Sequence, residues 1–457
     1  MRINTLLQPN PLKTKIERMF ELSAQKIHRL QSNWDPQKGA PVFTAAGKYT
    51  SRGWTEWTQG FLYGAGFLQY DATGDTAILE RAQQDTLAHM APHLTHTGVH
   101  DHGFNNISTY GNWLRLMNEG KIAENEWQQR FCELALKCSG AVQAMRWSTT
   151  ADGTGYIASF NGPHSLFIDT IRSLRVLGVA YRLGHVLKGE HDESISLLQR
   201  LIEHARNTAR YNVYYGNGRD AYDIRGRTVH EAIFNRNDGH FRCPSTQQGY
   251  SPFSTWTRGL AWAILGYAEQ LEFLRTLPAE SFEPFGGQFK VLDEFLETAM
   301  ATADFYIQNT PADGIPYWDT GAPGLAHMGD YLDRPADPYN DHEPVDSSAA
   351  AIAAQGFVRL AKYLNIRGQT PKATEYYQAG LTIADALFDE PYLSTQEDHE
   401  GLILHAIYHR PNGWDHVPAG SKIPNGEACM WGDYHARELG VLLLCDADGK
   451  CHPTFFT

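Results

Sequence analysis

The sequence predicts an all-α protein of about a dozen helices, and three observations carry that prediction. Apolar residues recur at the helical period along most of the 457-residue chain. Segments that alternate like strands are short and few, as at Tyr156–Phe160. Glycine recurs beside tryptophan at three helix starts although it costs up to about 1 kcal/mol inside a helix, which points to close helix contacts. The first helix covers Pro11–Leu30, where Leu12, Ile16, Met19, Phe20, Leu22, Ile27 and Leu30 form one stripe. Further helices are expected over Trp57–Tyr70, Thr76–Met90, Asn105–Asn118, Glu124–Met145, Ser165–Leu183, Asp192–Tyr214, Thr255–Thr276, Gln288–Gln308, Ser347–Leu364, Thr370–Leu387, Gly401–Tyr408 and Glu427–Leu444. Trp57-Thr58-Gln59-Gly60 precedes Gly64 and Gly66, Trp256-Thr257-Arg258-Gly259 precedes Gly266, and Trp431-Gly432-Asp433-Tyr434 precedes Gly440. Between helices, Asp313–Val345 is the longest non-helical segment. Its Trp318, Asp319, His327, Tyr339 and His342 suggest an ordered loop over a site. No stretch reads as a flexible linker, so a single domain over 1–457 is expected. No fixed repeat period emerges, which disfavours a regular solenoid. Hairpins closed into two concentric rings, a plain bundle and an open array all satisfy the periodicity.

Composition narrows the function classes. Hydrophobic residues at 42% and charged residues at 20% exclude a disordered chain. The 39 Lys and Arg against 52 Asp and Glu give a net charge of −13 with His neutral, which argues against nonspecific binding to nucleic acid. A local positive pocket can still take an anionic ligand. None of the six cysteines has CxxC spacing, so reduced thiols are expected rather than a zinc knuckle. The N-terminal apolar run is two leucines long, and no stretch of about 18 apolar residues occurs. A reducing cytoplasm and no membrane attachment are the expectation.

Four clusters concentrate chemistry-bearing side chains. His100-Asp101-His102-Gly103-Phe104 sets a carboxylate between two imidazoles at a helix start. Asp101 there can be held ionised, pass a proton or simply cap the helix. No nearby Cys or Glu completes a ligand set, so no metal is expected. Asp169 follows an apolar run, and Arg172 and Arg175 follow it. Desolvation would raise its pKa toward that of a useful acid, whereas pairing with either arginine would make it structural. Two carboxylates in different environments suit acid–base work on glycosides. The third cluster runs from His230 through Gln247 and Gln248 to Trp256 and Arg258. Imidazole, amide, guanidinium and indole suit a sugar carboxylate, although Arg258 could equally neutralise a buried acid and Trp262 reads as core. The fourth holds Trp318-Asp319, Asp346-Ser347-Ser348 and Trp431-Gly432-Asp433-Tyr434. Asp346 before two serines and an alanine-rich run is an N-cap signal, and the serine hydroxyls could still touch substrate. The patterns GxxxxGK[ST], GxSxG and HExxH are absent.

In their order and spacing these pieces resemble the unsaturated glucuronyl hydrolases, glycoside hydrolase family 88. The matching pieces are the Trp57–Gly66 helix start, HDHGF at 100–104, SLFID at 165–169, the His230–Gln248 region, WTRGLAW at 256–262, PADGIPYWD at 311–319, DSSA at 346–349 and MWGDY at 430–434. They span roughly residues 50–445. The unsaturated rhamnogalacturonyl hydrolases share the general plan, but these pieces look more like the glucuronyl group. The resemblance implies an (α/α)6 barrel of two concentric helix rings. It also implies an exo-acting enzyme that takes a 4,5-unsaturated uronic acid from the nonreducing end of lyase-generated oligosaccharides, an anionic substrate, with no cofactor. Asp169 would then be the general acid/base that protonates C4 of the enol ether and activates the water that adds at C5. Asp101 would be its ionised partner. His230 and Gln248 match residues that contact the unsaturated sugar. Trp256 looks like one aromatic wall, with Arg258 in the shared WxRG pattern, and Phe160 or Trp147 would supply a second. Ser347 and Ser348 would sit near the neighbouring sugar or its sulfate.

The chain departs from the family pattern at Gln59, His102, Phe160 and the Pro344-Val345 pair ahead of Asp346. None removes a candidate acid. They bear on stacking and on the subsite beyond the cleaved bond, so glycosaminoglycan, gellan, xanthan, alginate and ulvan fragments all stay open. A polysaccharide lyase or an inverting glycosidase on the same barrel is the alternative enzyme class. A helical carbohydrate-binding scaffold is the nonenzymatic one.

Overall fold

The computed structural model describes residues 1–53 and 56–456. Its main helices are α1 (Pro9–Asn33), α2 (Gln59–Thr73), α3 (Thr76–His89), α4 (102–118), α5 (Glu126–Met145), α6 (170–182), α7 (Leu197–Asn212), α8 (Thr257–Leu274), α9 (Gln288–Gln308), α10 (Ser347–Ile366), α11 (Thr370–Leu387) and α12 (Met430–Ala447). Residues 107–111 of α4 form a π turn, and α6 is two short pieces that meet at Leu174.

The even-numbered helices make an inner ring. Each packs on the next, and α12 closes the ring on α2. The odd-numbered helices pack outside it: α3 on α2, α5 on α4 and α6, α7 on α6, α9 on α8, α11 on α10, and α1 on α12. Side-chain pattern explains the sorting. Nearly every residue of α8 and α10 is buried, as expected of helices apolar all round. By contrast α1 buries one stripe that includes Leu12, Ile16, Met19, Phe20, Ile27 and Leu30, and shows its other face to solvent. The inner helices also approach closely. A Cβ on Gly356 of α10 would lie 2.8 Å from the Leu265 nitrogen of α8, so glycine is required there.

The segments ahead of the inner helices gather on one rim of the barrel. Bridges Phe43–Cys429, Trp256–Asp319 and Tyr317–Val345 join residues at or just before the starts of α12, α8 and α10. The strand Ser165–Phe167, which leads into Asp169 and α6, pairs antiparallel with Glu231–Phe234. That strand pairs in turn with Phe241–Ser245. Two expected elements differ. Gly401–Tyr408 is a loop rather than a helix, because the Asp433 carboxylate accepts from the Leu402 and Ile403 amides, each at 2.8 Å. A short run buried on every side has no period that separates a helix from an extended segment. The expected helix Ser165–Leu183 begins as a strand, and its helical part starts at Thr170. Among the described residues no helix is long and apolar enough to cross a membrane.

Candidate active site

Asp101 and Asp169 occupy the N-cap positions of α4 and α6, yet neither side chain caps its helix. Both carboxylates remain available, and a single imidazole joins them. His100 Nε2 lies 3.6 Å from Asp101 Oδ1 and 3.7 Å from Asp169 Oδ2. His100 Nδ1 accepts the Phe160 amide at 3.2 Å, so the ring proton sits on Nε2 and points at the carboxylates. That Nε2 and Asp169 Oδ1 are both buried with no hydrogen-bond partner among the described residues.

α6 supports both acids. Ser173 Oγ donates to the His100 carbonyl and accepts the Gly103 amide, at 2.8 and 2.9 Å. Arg172 Nη1 donates to the Gly103 carbonyl at 3.0 Å. A Cβ on Gly103 would overlap the Ser173 backbone, so this loop can sit against α6 only with glycine there. The charges of Arg172 and Arg175 go to Glu269 and Glu438 inside the barrel, which removes the structural alternative for Asp169.

The three titratable groups perturb one another. Burial pushes the Asp101 carboxyl up, and the Asp169 charge adds to it against the pull of His100. Burial acts on Asp169 in the same direction, but His100 and then His230 outweigh it and hold Asp169 below its ordinary value. Burial opposes charge on His100, and the two carboxylates overcome that and raise it. The sequence reading placed the raised pKa on Asp169 and the ionised role on Asp101. The arrangement reverses this, because the pull of His100 outweighs burial at Asp169 and does not at Asp101. The cluster titrates as a unit. Its three donor atoms lie within 4.8 Å of one another, close enough to share a cation only once the Nε2 proton has left.

The acids open into a cavity of about 320 Å³. Trp57, Phe160, Trp256, Tyr408 and Trp414 supply aromatic wall, and Gln247, Gln248, His409 and Asn412 supply polar groups. Of the two candidates for the second wall, Phe160 is the one in place. It is 44% exposed and stacks on the His100 ring at 6.2 Å and 11°. Trp147 lies outside the cavity lining, on the strand Trp147–Thr149, with the Arg200 guanidinium 3.9 Å from its ring centre. Trp256 lines the cavity, and the His230 ring meets it at 4.8 Å and 63°.

His230 sits just behind that wall. Its Nδ1 accepts the Gln247 and Gln248 amides at 2.9 and 3.3 Å, so Nε2 carries the proton, and that atom has no partner. Burial holds its pKa at about 4, so the ring is a neutral donor. Arg258 does not offer a free guanidinium to the sugar. It binds Asp346 Oδ2 at 2.7 Å, Gln248 Oε1 at 2.9 Å and the carbonyls of Ile407 and Tyr408. Arg258 therefore neutralises a buried acid and turns the Gln248 NH2 toward the cavity.

Ser347 and Ser348 are fully buried and lie outside the lining. Ser348 Oγ bonds Asp346 at 2.5 Å and accepts Trp431 Nε1–H at 3.0 Å, while Asp346 caps α10 through the Ser348 amide. The N-cap reading holds, and the substrate contact expected of these serines is corrected. The 313–345 loop also stays off the lining. It supports the Gln248 segment from behind, where Asp319 accepts the Tyr250 amide at 2.8 Å. Sequence reasoning missed the loop 408–415, which carries Tyr408, His409, Asn412 and Trp414 into the cavity and is held by Asp415, an acceptor for the amides of Tyr408 and His409. Its signal was the dense aromatic, imidazole and amide content of YHRPNGWD.

No family model matches the chain. An unsaturated glucuronyl hydrolase of Bacillus sp. (strain GL1) is 27% identical over 408 residues, covering 87% of this chain and 88% of that one. Over most of its length the chain is similar to the unsaturated glucuronyl hydrolases. An unsaturated chondroitin disaccharide hydrolase of Streptococcus pyogenes serotype M1 is 23% identical over 430 residues, covering 93% and 90% of the two chains. The crystal structure of an unsaturated glucuronyl hydrolase specific for heparin superposes with a TM-score of 0.70 at 18% identity, over 96% of this chain and 99% of that one. The all-α toroid of the unsaturated glucuronyl hydrolases is thus the fold of this chain. Three departures from the family pattern fall away from the cavity. His102 is buried against Ser139 Oγ and the His96 carbonyl, Gln59 donates to the Tyr63 hydroxyl, and Pro344 offers its carbonyl to the Trp318 amide. Only Phe160 bears on the lining.

Proposed function

We propose that this protein removes a 4,5-unsaturated uronic acid from the nonreducing end of lyase-generated oligosaccharides by hydrating its enol ether. The observation that carries this reading is the carboxylate pair joined by one imidazole beside an aromatic pocket. Asp169 delivers a proton to C4, and positive charge develops across C5 and the ring oxygen. Asp101 holds Asp169 in place through the His100 ring that lies between them. Asp169, now ionised, takes a proton from water as the oxygen bonds to C5. The hemiketal opens by breaking the bond from C5 to the ring oxygen. The hemiacetal left at C1 then releases the shortened sugar and leaves a keto product.

Asp169 must hold a proton for the first step. The uronate supplies the means. A unit charge about 5 Å away at an effective dielectric constant of about 20 interacts by about 3 kcal/mol, or about 2 pKa units. Substrate binding therefore drives the depressed Asp169 toward its acid form. The Gln248 NH2 is the donor proposed for the bound sugar, and His230, outside the lining, holds the Gln247–Gln248 backbone from behind rather than touching it. An inverting glycosidase, which places a water between two carboxyl groups about 6.5–9.5 Å apart, is the alternative, and loss of the double bond during turnover decides against it.

The substrate class is an anionic unsaturated oligosaccharide. The relatives are named for chondroitin disaccharides and for heparin, so the leaving sugar is a property of each protein's own loops. Six cysteines without a disulfide suit a reducing compartment, and we place the activity in the cytoplasm. The test is ultraviolet absorbance of the conjugated double bond across a panel of lyase-made disaccharides. A fall with at least one member supports hydration, a rise on intact polysaccharide would favour a lyase, and a flat trace from folded protein throughout rejects the reading for that panel.

A further inference from the structure

Glu231 begins the middle strand of the small sheet beside the cavity and is fully buried. Its side chain is the acceptor for three neutral donors. Oε1 takes the Asn161 NH2 at 2.7 Å and the Ser165 hydroxyl at 2.5 Å, and Oε2 takes the Gln247 NH2 at 3.3 Å. Ser159 Oγ donates to Ser165 Oγ at 2.7 Å and accepts the Asn161 backbone amide at 3.1 Å, so these hydrogens all run toward the one acid. Glu231 thereby joins the turn after Phe160, the strand that leads to Asp169 and a residue of the cavity lining.

The two consecutive glutamines on the lining are held in opposite senses. A guanidinium only donates, so Arg258 holds Gln248 by its Oε1 and leaves the NH2 for the cavity. A carboxylate only accepts, so Glu231 holds Gln247 by its NH2 and leaves the Oε1. Among the described residues that Oε1 meets no donor. The wall therefore offers a donor and an acceptor side by side, and a bound sugar has to match both. An ionised sugar carboxylate has no hydrogen to give and suits the Gln248 end only. The Gln247 end requires a hydroxyl. A 4,5-unsaturated uronic acid has free ring hydroxyls only at C2 and C3, because C4 and C5 share the double bond and C1 carries the leaving sugar.

We propose that Gln247 accepts a hydrogen bond from the C2 or C3 hydroxyl of the unsaturated uronate, and that Glu231 is the positioning residue that fixes the Gln247 amide in this accepting sense. The identity of the sugar rests on the proposed hydration reaction. The role of Glu231 follows from its chemistry rather than its bulk. In Glu231→Gln the new amide both donates and accepts, so it can hold Gln247 by either end and the acceptor is no longer specified. A substrate that lacks the hydroxyl leaves the Gln247 Oε1 without a partner in a pocket closed by aromatic rings, and a site built to bond a hydroxyl discriminates strongly against such an analogue.

The test uses the whole chain and three substrates, the methyl glycosides of the unsaturated uronic acid and of its 2-deoxy and 3-deoxy forms, followed by loss of double-bond absorbance. Removing a hydroxyl changes the intrinsic reactivity equally for every protein, so the comparison between proteins isolates the contact. On one of the two deoxy substrates the wild type should lose about five- to tenfold more kcat/KM than Gln247→Met, which has no acceptor. Glu231→Gln should keep only part of that excess. If either variant does not fold, crystals of Asp169→Asn with a disaccharide decide, and should show the Gln247 Oε1 within about 3.2 Å of the C2 or C3 hydroxyl and its NH2 on Glu231. Equal losses in wild type and Gln247→Met, or a Gln247 Oε1 bonded to the leaving sugar, overturn the contact. A full excess retained in folded Glu231→Gln overturns the role of Glu231. Folded wild type that consumes none of the three substrates is a failure of the hydration reading instead. Calorimetric binding of the same glycosides then runs the same comparison, and equal affinity losses, or no binding, overturn the contact as well.

Discussion

Replacing His100 by asparagine separates the two contacts of its ring. The Asn Oδ1 can take the place of Nδ1 as acceptor for the Phe160 amide, while the Nε2–H that faces both acids is lost. His100 holds Asp169 below its ordinary pKa, so its removal raises Asp169. A charge about 4 Å away contributes about 1 kcal/mol in water and about 4 kcal/mol near a protein surface, so about 1–2 pKa units are expected here. The proton on Asp169 is required for the first step, so kcat/KM falls as pH rises through the Asp169 value of the free enzyme. In His100→Asn that alkaline limb should move to higher pH by about 1–2 units. The assay is the pH dependence of kcat/KM followed by loss of double-bond absorbance, with thermal melts to show that the variant is folded. An unchanged alkaline limb, or one moved to lower pH, refutes the coupling between His100 and Asp169.

Other consequences are as specific. Phe160→Ala should lower kcat/KM about fivefold through lost ring contact of about 1 kcal/mol, whereas Trp147→Ala should leave kinetics alone and lower only Tm. Ser347→Ala should be close to neutral in both urea unfolding and kinetics, because the hydroxyl is buried without a partner. Arg258→Met should destabilise by about 3–5 kcal/mol in urea unfolding, since it leaves Asp346 buried and unpaired, and should raise KM as Gln248 loses its anchor.

Some of this was legible in the sequence. The stripe of α1 and the all-round apolar character of α10 give both the helices and their rings. The acids could be named because HDHGF and SLFID are local signals, and each aspartate sits where its helix begins. Whether it caps that helix is a matter of side-chain direction, which spacing does not carry. The pairing of Arg258 with Asp346, 88 residues apart, depends on how α8 and α10 meet, so guanidinium beside indole read as a sugar site. Ser347 and Ser348 could not be sorted, because a cap and a substrate contact use the same residue types at the same place. The reversal between Asp101 and Asp169 arises first from His100, whose pull outweighs burial at Asp169 and not at Asp101, and neither local motif shows which acid that ring favours.

The most direct test of the central claim compares wild type with Asp169→Asn on a disaccharide that the wild type turns over. The account predicts that absorbance falls with the wild type and stays constant, within at least 10³-fold lower rate, with the variant, while calorimetry shows that the variant still binds the disaccharide. A variant that binds and still consumes the double bond at a comparable rate would contradict the assignment of Asp169 as the proton donor.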